Sequence, residues 1–336
     1  MAAVALALVV YQAMSGTGGR TGSTGSSAAT AATSSAVQPL LSEASEQRRR
    51  GQLVDALATL ARARAQAPES DAARQLQYEV AMEWIRNVSF ESGTSTFADA
   101  IKPGLTVIDA ALASATGAQK ADLLAHSGWA AFLMWRDGNR QLDPAQWYRD
   151  ALKIDPANPY ANAMLAHWML FRGDDVDGAA RLFETALKSG RAKPAVRSLQ
   201  WAAFGNTRTP ESSRELVRLA DAMRRDAEQL TERQAQSLWA PYYFALSPSR
   251  DAERQMLLGA LPPDDHIKTL GWAFDDHFAG DESRRRTRRY YVALLHERAG
   301  RLAEAREQLA ALGQELAGRP GSLQDAVQAS LRRLGR

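Results

Sequence analysis

A repeat of about 35 residues constrains the fold of this chain more than any other feature of its sequence. Residues 121–155, moved along the chain by 35 positions, fall on residues 156–190. The coinciding residues are Ala131 and Ala166, Met134 and Met169, Gly138 and Gly173, Ala145 and Ala180, Tyr148 and Phe183, and the triplet 151–153 with the triplet 186–188. A glycine thus lies at the turn between two amphipathic stretches, and small residues lie where two helices would cross closely. Such a period, made of two helices, is typical of a solenoid.

The same spacing of glycine, small and bulky residues recurs towards both ends of the chain. Residues 51–68 contain the series Gly51, Ala56, Leu60, Ala63 and Pro68, and residues 300–312 contain Gly300, Ala305 and Leu309. These steps place small and bulky side chains on one face of a helix. The sequence therefore predicts repeats over residues 39–68, 121–190 and 284–317, with paired helices of no clean period over residues 191–282.

Composition supports an all-α fold. Ala, Leu, Arg, Gln and Glu dominate, and these residues lose little entropy on entering a helix. No run of alternating β-branched or aromatic residues is bounded by turn dipeptides, so strand signals are scarce. Hydrophobic residues make up 45 % of the 336 residues, which allows a sizeable core. The chain has no Cys, which excludes disulfides, thiolate nucleophiles and Fe–S clusters.

The stretch ALKIDPANPYANAMLAHWMLFRGD, residues 151–174, resembles the helix–turn–helix junction of the tetratricopeptide repeat (TPR) family. Asn158 can cap the second helix, and Pro159 can take its first position, where a missing N–H costs nothing. The chain departs from the family at Pro144, Arg191 and Leu312, where the family prefers alanine, proline and a small residue. The resemblance implies a right-handed α-solenoid of paired antiparallel helices. It also implies a concave face, lined by the first helix of each pair, that binds peptides or protein surfaces.

Aromatic residues at helical spacing give the candidate binding groove. In residues 159–172 the predicted packing face is Leu165, Ala166 and Met169, and the neighbouring stripe is Tyr160, Ala163, His167 and Phe171. The counterparts of the stripe one repeat earlier are Ala125, Gly128, Phe132 and Arg136, with Trp135 beside them. Exposed aromatic and arginine side chains have the composition of an interaction hot spot. The predicted protein-binding groove is Phe132, Trp135, Arg136, Tyr160, His167 and Phe171; the alternative is that these aromatics pack against the next helix layer.

The first 37 residues predict attachment to a membrane or export. Residues 2–14, AAVALALVVYQAM, are almost wholly apolar, but a spanning helix needs roughly 20 such residues. They fit the apolar region of a signal peptide, or the second half of a transmembrane helix that starts upstream. Residues 15–37 have the Gly/Ser/Thr/Ala composition of a flexible linker. Richness in Arg and Ala suggests a bacterial coding sequence. For a bacterial protein, the apolar segment and linker of residues 1–37 predict that the repeats lie in the periplasm.

Two Asp-Asp-His triplets, residues 264–266 and 275–277, resemble a metal or acid–base site at first sight. The dipeptide at 262–263 predicts a helix start and Gly280 predicts its end, so both triplets would lie on one helix, about 16 Å apart. One metal ion with bonds of about 2 Å cannot reach both. The first acids suit a helix N-terminus, and the later ones are expected to pair with nearby arginines. We therefore predict no catalytic, metal-binding or cofactor-binding residues.

The run RRRTRRYY, residues 284–291, is the most basic part of the chain. Nucleic acid or an anionic lipid is a conceivable ligand for arginines beside tyrosines. Asp281 and Glu282 precede the run, and they favour a solvated helix start with local ion pairs instead. The net charge of +3 is also too weak to imply nucleic acid by itself.

Five segments follow: an apolar signal or anchor (1–14), a linker (15–37), TPR-like repeats (38–190), irregular helical pairs (191–283), and a C-terminal repeat with a capping helix (284–336). The expected function is a non-catalytic scaffold that holds partner proteins or peptides in a bacterial envelope process; no nucleic acid or small-molecule substrate is expected. One alternative is the sensory or docking half of a larger transmembrane signalling protein. Another is an enzyme or metal-binding protein with its site in residues 191–282, with Asp275, Asp276 and His277 as candidates.

Overall fold

The computed structural model describes residues 26–88, 96–173 and 175–335, with side chains from residue 37 onward. Sixteen α-helices make up most of the described residues, which contain no β-strand, so the prediction of an all-α chain is confirmed. The helices are α1 (Ser26–Arg49), α2 (Leu53–Gln66), α3 (Asp71–Arg86), α4 (Phe97–Leu112), α5 (Gly117–Arg136), α6 (Pro144–Ile154), α7 (Pro159–Arg172), α8 (Val176–Lys188), α9 (Lys193–Thr207), α10 (Pro210–Arg225), α11 (Glu232–Phe244), α12 (Asp251–Leu258), α13 (Pro263–Phe274), α14 (Glu282–Arg298), α15 (Leu302–Glu315) and α16 (Ser322–Leu334).

The chain divides into two compact units, residues 1–80 and 81–336. In the first unit α1 packs against α2, and Gly51 makes the turn between them with a φ of 77°, which glycine adopts without strain. The sequence predicts a flexible linker through residue 37, whereas α1 already begins at Ser26. The residues concerned, 26–37, are rich in alanine, the best helix former, which accounts for the difference.

None of the described helices is both long enough and apolar enough to cross a lipid bilayer. The predicted anchor, residues 1–14, lies outside the described residues.

In the second unit the predicted repeats are pairs of packed helices. α5 packs against α6, α7 against α8, and α14 against α15, while the first helices of successive pairs, α5, α7 and α9, also contact one another. This regular order ends after α9, because α10 contacts α11, α12 and α13. The break falls in the part of the sequence, residues 191–282, where the period is lost.

Small residues let the paired helices approach closely, as the repeat predicts. Ala131, Ala151, Ala166 and Ala186 are all buried, and the bulky Tyr148 and Phe183 fill the space between helices. Gly128 on α5 faces Tyr148 so closely that an added Cβ would lie 2.5 Å from the Tyr148 Cε1 atom. A side chain at position 128 would therefore push the two helices apart.

The start of α7 forms as the junction sequence predicts. The Asn158 side chain accepts a hydrogen bond from the Ala161 N–H at 2.9 Å, and Pro159 occupies the first helical position. The predicted faces of α7 are partly wrong, however, since Ala163 is fully buried while Leu165 and Met169 are half-buried. The reason is that α7 contacts α5, α8 and α9, so neighbours cover more than one of its faces.

The predicted helix from 263 to 280 is shorter than expected. α13 ends at Phe274, and residues 275–280 form turns, so the second Asp-Asp-His triplet lies beyond the helix. Two successive carboxylates at this point oppose the negative C-terminal end of the helix dipole, which is a physical reason for the helix to stop there.

Candidate functional site

The C-terminal halves of α5 and α7 bring most aromatic residues of the predicted groove together. The Phe132 ring centroid lies 5.1 Å from that of Phe171 and 5.3 Å from that of His167, and Trp135 lies 5.6 Å from Phe171. Trp168, which the sequence does not single out, joins them at 5.4 Å from Trp135. These four contacts are edge-to-face, which is a preferred arrangement of aromatic rings.

Three arginines lie over these rings. The Arg140 guanidinium is 3.5 Å from the Trp135 ring centroid, and that of Arg172 is 5.4 Å from the same ring. Arg136 lies 5.9 Å from the Phe132 ring and 4.8 Å from that of Phe97 on α4. Such contacts are favourable because the face of an aromatic ring attracts a cation. None of the three arginines has a carboxylate partner in the described part of the chain.

We call these residues the aromatic–arginine surface: Phe132, Trp135, Arg136, Arg140, Trp168, Phe171 and Arg172. It has a buried floor and an exposed rim. Phe132 is 2 % exposed and packs against the next helix, as the alternative prediction has it, whereas Phe171 is 46 % exposed. Trp135 and Trp168 are half-buried, and the three arginines are exposed. A partner could therefore reach rings and guanidinium groups on one surface.

His167 belongs to the floor of this surface. Its ring lies 5.0 Å from Trp129 and 5.3 Å from Phe132, and its Nδ1 atom has no hydrogen-bond partner among the described residues. Burial, with a smaller contribution from the Arg136 charge, lowers the pKa of His167 to about 4. The histidine is therefore neutral at pH 7 and contributes apolar packing.

Tyr160 lies apart from the rest of the predicted groove. It is 11 residues before Phe171 on α7, or about 16 Å along the helix axis. Its ring packs edge-to-face on His126 at 4.6 Å, and the Arg86 guanidinium lies 4.9 Å from its centroid. The structure therefore assigns Tyr160 to a separate polar cluster at the start of α7.

A buried carboxylate organises that cluster. Asp122 on α5 accepts hydrogen bonds from Arg191 Nη1 at 2.5 Å and Nη2 at 3.1 Å, and from Asn158 Nδ2 at 2.7 Å. Arg191 is the residue that stands where the family pattern prefers proline. The departure has a structural reason, because the guanidinium joins α5 to the end of the α8 segment through a bidentate ion pair.

The arginines of residues 284–289 differ from those of the aromatic–arginine surface in their acid partners, although Arg284 also lies over a ring, 4.1 Å from the Phe278 centroid. Each has a carboxylate partner: Arg284 with Asp281, Arg285 with Glu282, Arg286 and Arg289 with Glu315, and Arg288 with Asp275. Tyr290 and Tyr291 are buried. The local ion pairs predicted for this run are therefore present, and its aromatic rings are not available to stack on a base.

The Asp-Asp-His triplets also have structural partners. Asp264 forms an ion pair with Arg301 at 2.7 Å, and Asp275 forms one with Arg288 at 2.7 Å. His266 is buried, where its Nε2 atom lies 2.6 Å from the Tyr242 hydroxyl. Within the described residues no group of three or more His, Asp and Glu side chains could hold a metal ion.

No protein-family model matches this chain, and no curated protein matches it either. What the protein does has to be inferred from the side chains described above.

Proposed function

We propose that this protein is a non-catalytic helical-repeat scaffold of TPR type that binds a partner protein through the aromatic–arginine surface. The observation that carries this proposal is the set of three arginines that lie over tryptophan and phenylalanine rings with no carboxylate partner in the described residues. Trp and Arg are among the residues that dominate binding energy in protein interfaces. A scaffold needs no catalytic group, and the proposal invokes none.

The chemistry of the surface indicates the chemistry of the partner. Its arginines carry positive charge that no acid of the described residues neutralises at that place, so a partner with carboxylates gains charge-assisted hydrogen bonds there. The half-buried Trp135 and the exposed Phe171 offer apolar area beside the charges. We therefore expect an acidic segment that also carries apolar side chains, and complementary charge would raise its rate of association.

The paired helices support the scaffold part of the proposal. A period of 35 residues, buried alanines at the helix crossings and contacts between α5, α7 and α9 are what a right-handed solenoid of TPR type requires. The apolar segment and linker of residues 1–37 extend the proposal to an anchored or exported protein with its repeats in the bacterial periplasm.

Partner capture tests the binding surface. The full-length protein, a Trp135→Ala/Phe171→Ala variant and a Trp147→Ala/Tyr243→Ala control would be immobilised, and solubilised envelope proteins passed over all three. The control removes rings that are 38 % and 58 % exposed on α6 and α11. We expect a protein that is retained by the parent and the control and lost from the variant. Equal retention by all three, or no retention by the parent, would contradict the proposal.

The location has a test of its own. A reporter enzyme that is active only outside the cytoplasm would be fused after residue 38, with a reporter of the opposite requirement as its control. Activity of the first reporter alone supports export of the repeats. Activity of the second alone would overturn the periplasmic location and leave the binding surface unaffected.

A further inference from the structure

A cavity of about 640 Å³ lies between α9, α10, α11 and α12, in the region where the regular order of helix pairs is lost. It is separate from the aromatic–arginine surface, with which it shares no residue. Its volume is within the range of about 300–1,000 Å³ that is usual for sites that bind small molecules.

Two arginines of the cavity wall have no carboxylate partner. Arg208 and Arg233 are exposed and form no ion pair with the described residues, whereas Arg250, the third arginine of the wall, pairs with Glu253 at 3.0 Å. The cavity therefore carries an excess of two positive charges. The guanidinium groups supply this charge, and a capping box between Thr209 and Ser212 already satisfies the Ser212 N–H at the N-terminus of α10.

Arg208 holds this position in an unusual backbone conformation. Its φ of 57° and ψ of 26° are left-handed, a region that residues with a Cβ atom seldom occupy. Arg208 ends α9 directly before the cap of α10, so this conformation turns the chain where the arginine joins the cavity wall. Glycine would make the same turn at less cost. Such strain is often found at binding sites.

Apolar side chains form much of the remaining wall. Phe204, Leu216 and Leu257 line the cavity and are otherwise buried in the core, whereas Phe244 is 53 % exposed. Pro241 lies inside α11 and has no N–H to donate, so the Ser237 carbonyl lacks its usual helical partner. Ser237 also lines the cavity, which thus combines apolar surface with positive charge that is unpaired among the described residues.

We propose that this cavity binds a small organic anion: an apolar body that carries a carboxylate, sulfonate or phosphate group. Arg208 and Arg233 bind the anionic group, and Phe204, Leu257 and Phe244 contact the apolar body. The sequence gives no sign of this site, because its residues come from four helices and share no period. The proposal does not depend on the partner-binding function.

Calorimetric titration of the full-length protein tests both halves of this chemistry. The probes are octanoate, 1-octanol, which has the apolar body without the charge, and acetate, which has the charge without the body. We expect octanoate to bind. Octanol and acetate should bind at least about tenfold more weakly, since each lacks one set of contacts. Equal affinity for octanoate and octanol, or no octanoate binding, would overturn the proposal.

Three variants locate the site. Arg208→Gln/Arg233→Gln should weaken octanoate binding about tenfold or more and leave octanol unchanged. Arg181→Gln, which removes an exposed and equally unpaired arginine on α8, should bind octanoate as the parent does. Ala240→Trp fills the cavity without touching its charges and should abolish binding. Unchanged octanoate affinity in the double variant or in Ala240→Trp would show that the ligand binds elsewhere and would overturn the assignment.

Discussion

Two clusters of arginine and aromatic residues, on α5/α7 and at the start of α14, look alike in the sequence and differ in the structure. In the aromatic–arginine surface, arginines lie over rings and lack carboxylate partners among the described residues. At the start of α14 each arginine of residues 284–289 has an acid partner, and both tyrosines are buried. The same residue types are thus paired with acids in one place and, within the described residues, left without them in the other, which is why we propose recognition for the first cluster and stability for the second.

The difference comes from the side chains around each cluster. Acids on three segments, at 275, 281–282 and 315, reach the α14 arginines, and Tyr291 donates its hydroxyl hydrogen to the Tyr242 carbonyl at 2.7 Å. Asp137 and Asp175, two acids near the α5/α7 arginines in sequence, instead cap helices: Asp137 accepts from the Ala98 N–H and Asp175 from the Gly178 N–H. A basic run therefore indicates a binding surface only when its neighbours leave it uncompensated.

The largest effect that separates the two clusters is expected from removing one ring of each. Tyr291→Ala should lower the free energy of unfolding by about 3–5 kcal/mol, because it empties a buried site. Phe171→Ala should lower it by about 1 kcal/mol or less, because the ring is largely exposed. Denaturant titration of both variants measures this. Equal losses would mean that Phe171 is also a structural residue and would weaken the proposed surface.

The next effect is the pH dependence of the unfolding free energy, which compares a buried histidine in each of two regions. Burial lowers the pKa of His167, beneath the aromatic–arginine surface, and of His266, beside Tyr242, to about 4 in each case. Their unfolded pKa is about 6.5, so the unfolded state binds more protons between these values. Stability should therefore be complete above pH 6.5 and fall as the pH drops, by an amount that approaches about 3 kcal/mol per histidine near pH 4.

Variants of the two histidines check the assignment. His167→Gln and His266→Gln should each reduce the fall in unfolding free energy between pH 6.5 and pH 4.5, where most carboxylates stay ionised. If the fall in unfolding free energy is unchanged in His167→Gln and reduced in His266→Gln, then only His266 is shielded from water.

Much of the fold follows from local features of the sequence. The repeat spacing predicts the pairs α5/α6, α7/α8 and α14/α15 and the buried alanines, because close helix crossings require small residues at fixed steps. The packing of α10 against α11, α12 and α13 has no such signature, since it depends on contacts that no repeat spacing marks in the sequence. The early end of α13 was also not predicted, because helix propensity favours a longer helix while the two acids at 275–276 oppose the helix dipole at that end.

The site was predicted in part for similar reasons. Helical periodicity predicts the stripe that contains Phe132 on α5 and the stripe that contains Phe171 on α7, but it assigns Tyr160 to the second stripe without regard to its distance along the axis. Arg140 lies in the turn after α5, where no period applies, and Trp168 lies about 100° around the helix from His167. A stripe on a single helix therefore predicts the centre of the surface. It misses residues in the turn that follows the helix, such as Arg140, and residues on the neighbouring face of the helix, such as Trp168.

The next largest loss of stability is expected when an arginine that pairs with a buried carboxylate is replaced, and replacing an arginine that has no such partner should cost less. Arg191→Gln leaves Asp122 without its ion pair, and only the Asn158 hydrogen bond remains of the three side-chain bonds described above. We expect a loss of about 1–3 kcal/mol in unfolding free energy, since the carboxylate is buried. Thermal and denaturant unfolding would measure it. A loss no larger than that of an exposed arginine such as Arg181 would mean that water replaces the guanidinium.

The smallest effect on stability should accompany the most specific effect on function. Arg140→Gln/Arg172→Gln removes two exposed cations, Arg140 over the Trp135 ring and Arg172 over the Trp135 and Trp168 rings. An exposed cation over a ring is worth about 0.5–1 kcal/mol, so the unfolding free energy should fall by about 2 kcal/mol at most. Capture of the partner should nevertheless be strongly weakened, because these are two of the three arginines that the proposed surface offers to its acids. Arg289→Gln, which breaks an ion pair with Glu315, is the matched control and should capture the partner normally. If Arg289→Gln loses the partner as well, the charge of the whole chain, and not the aromatic–arginine surface, is what the partner recognises.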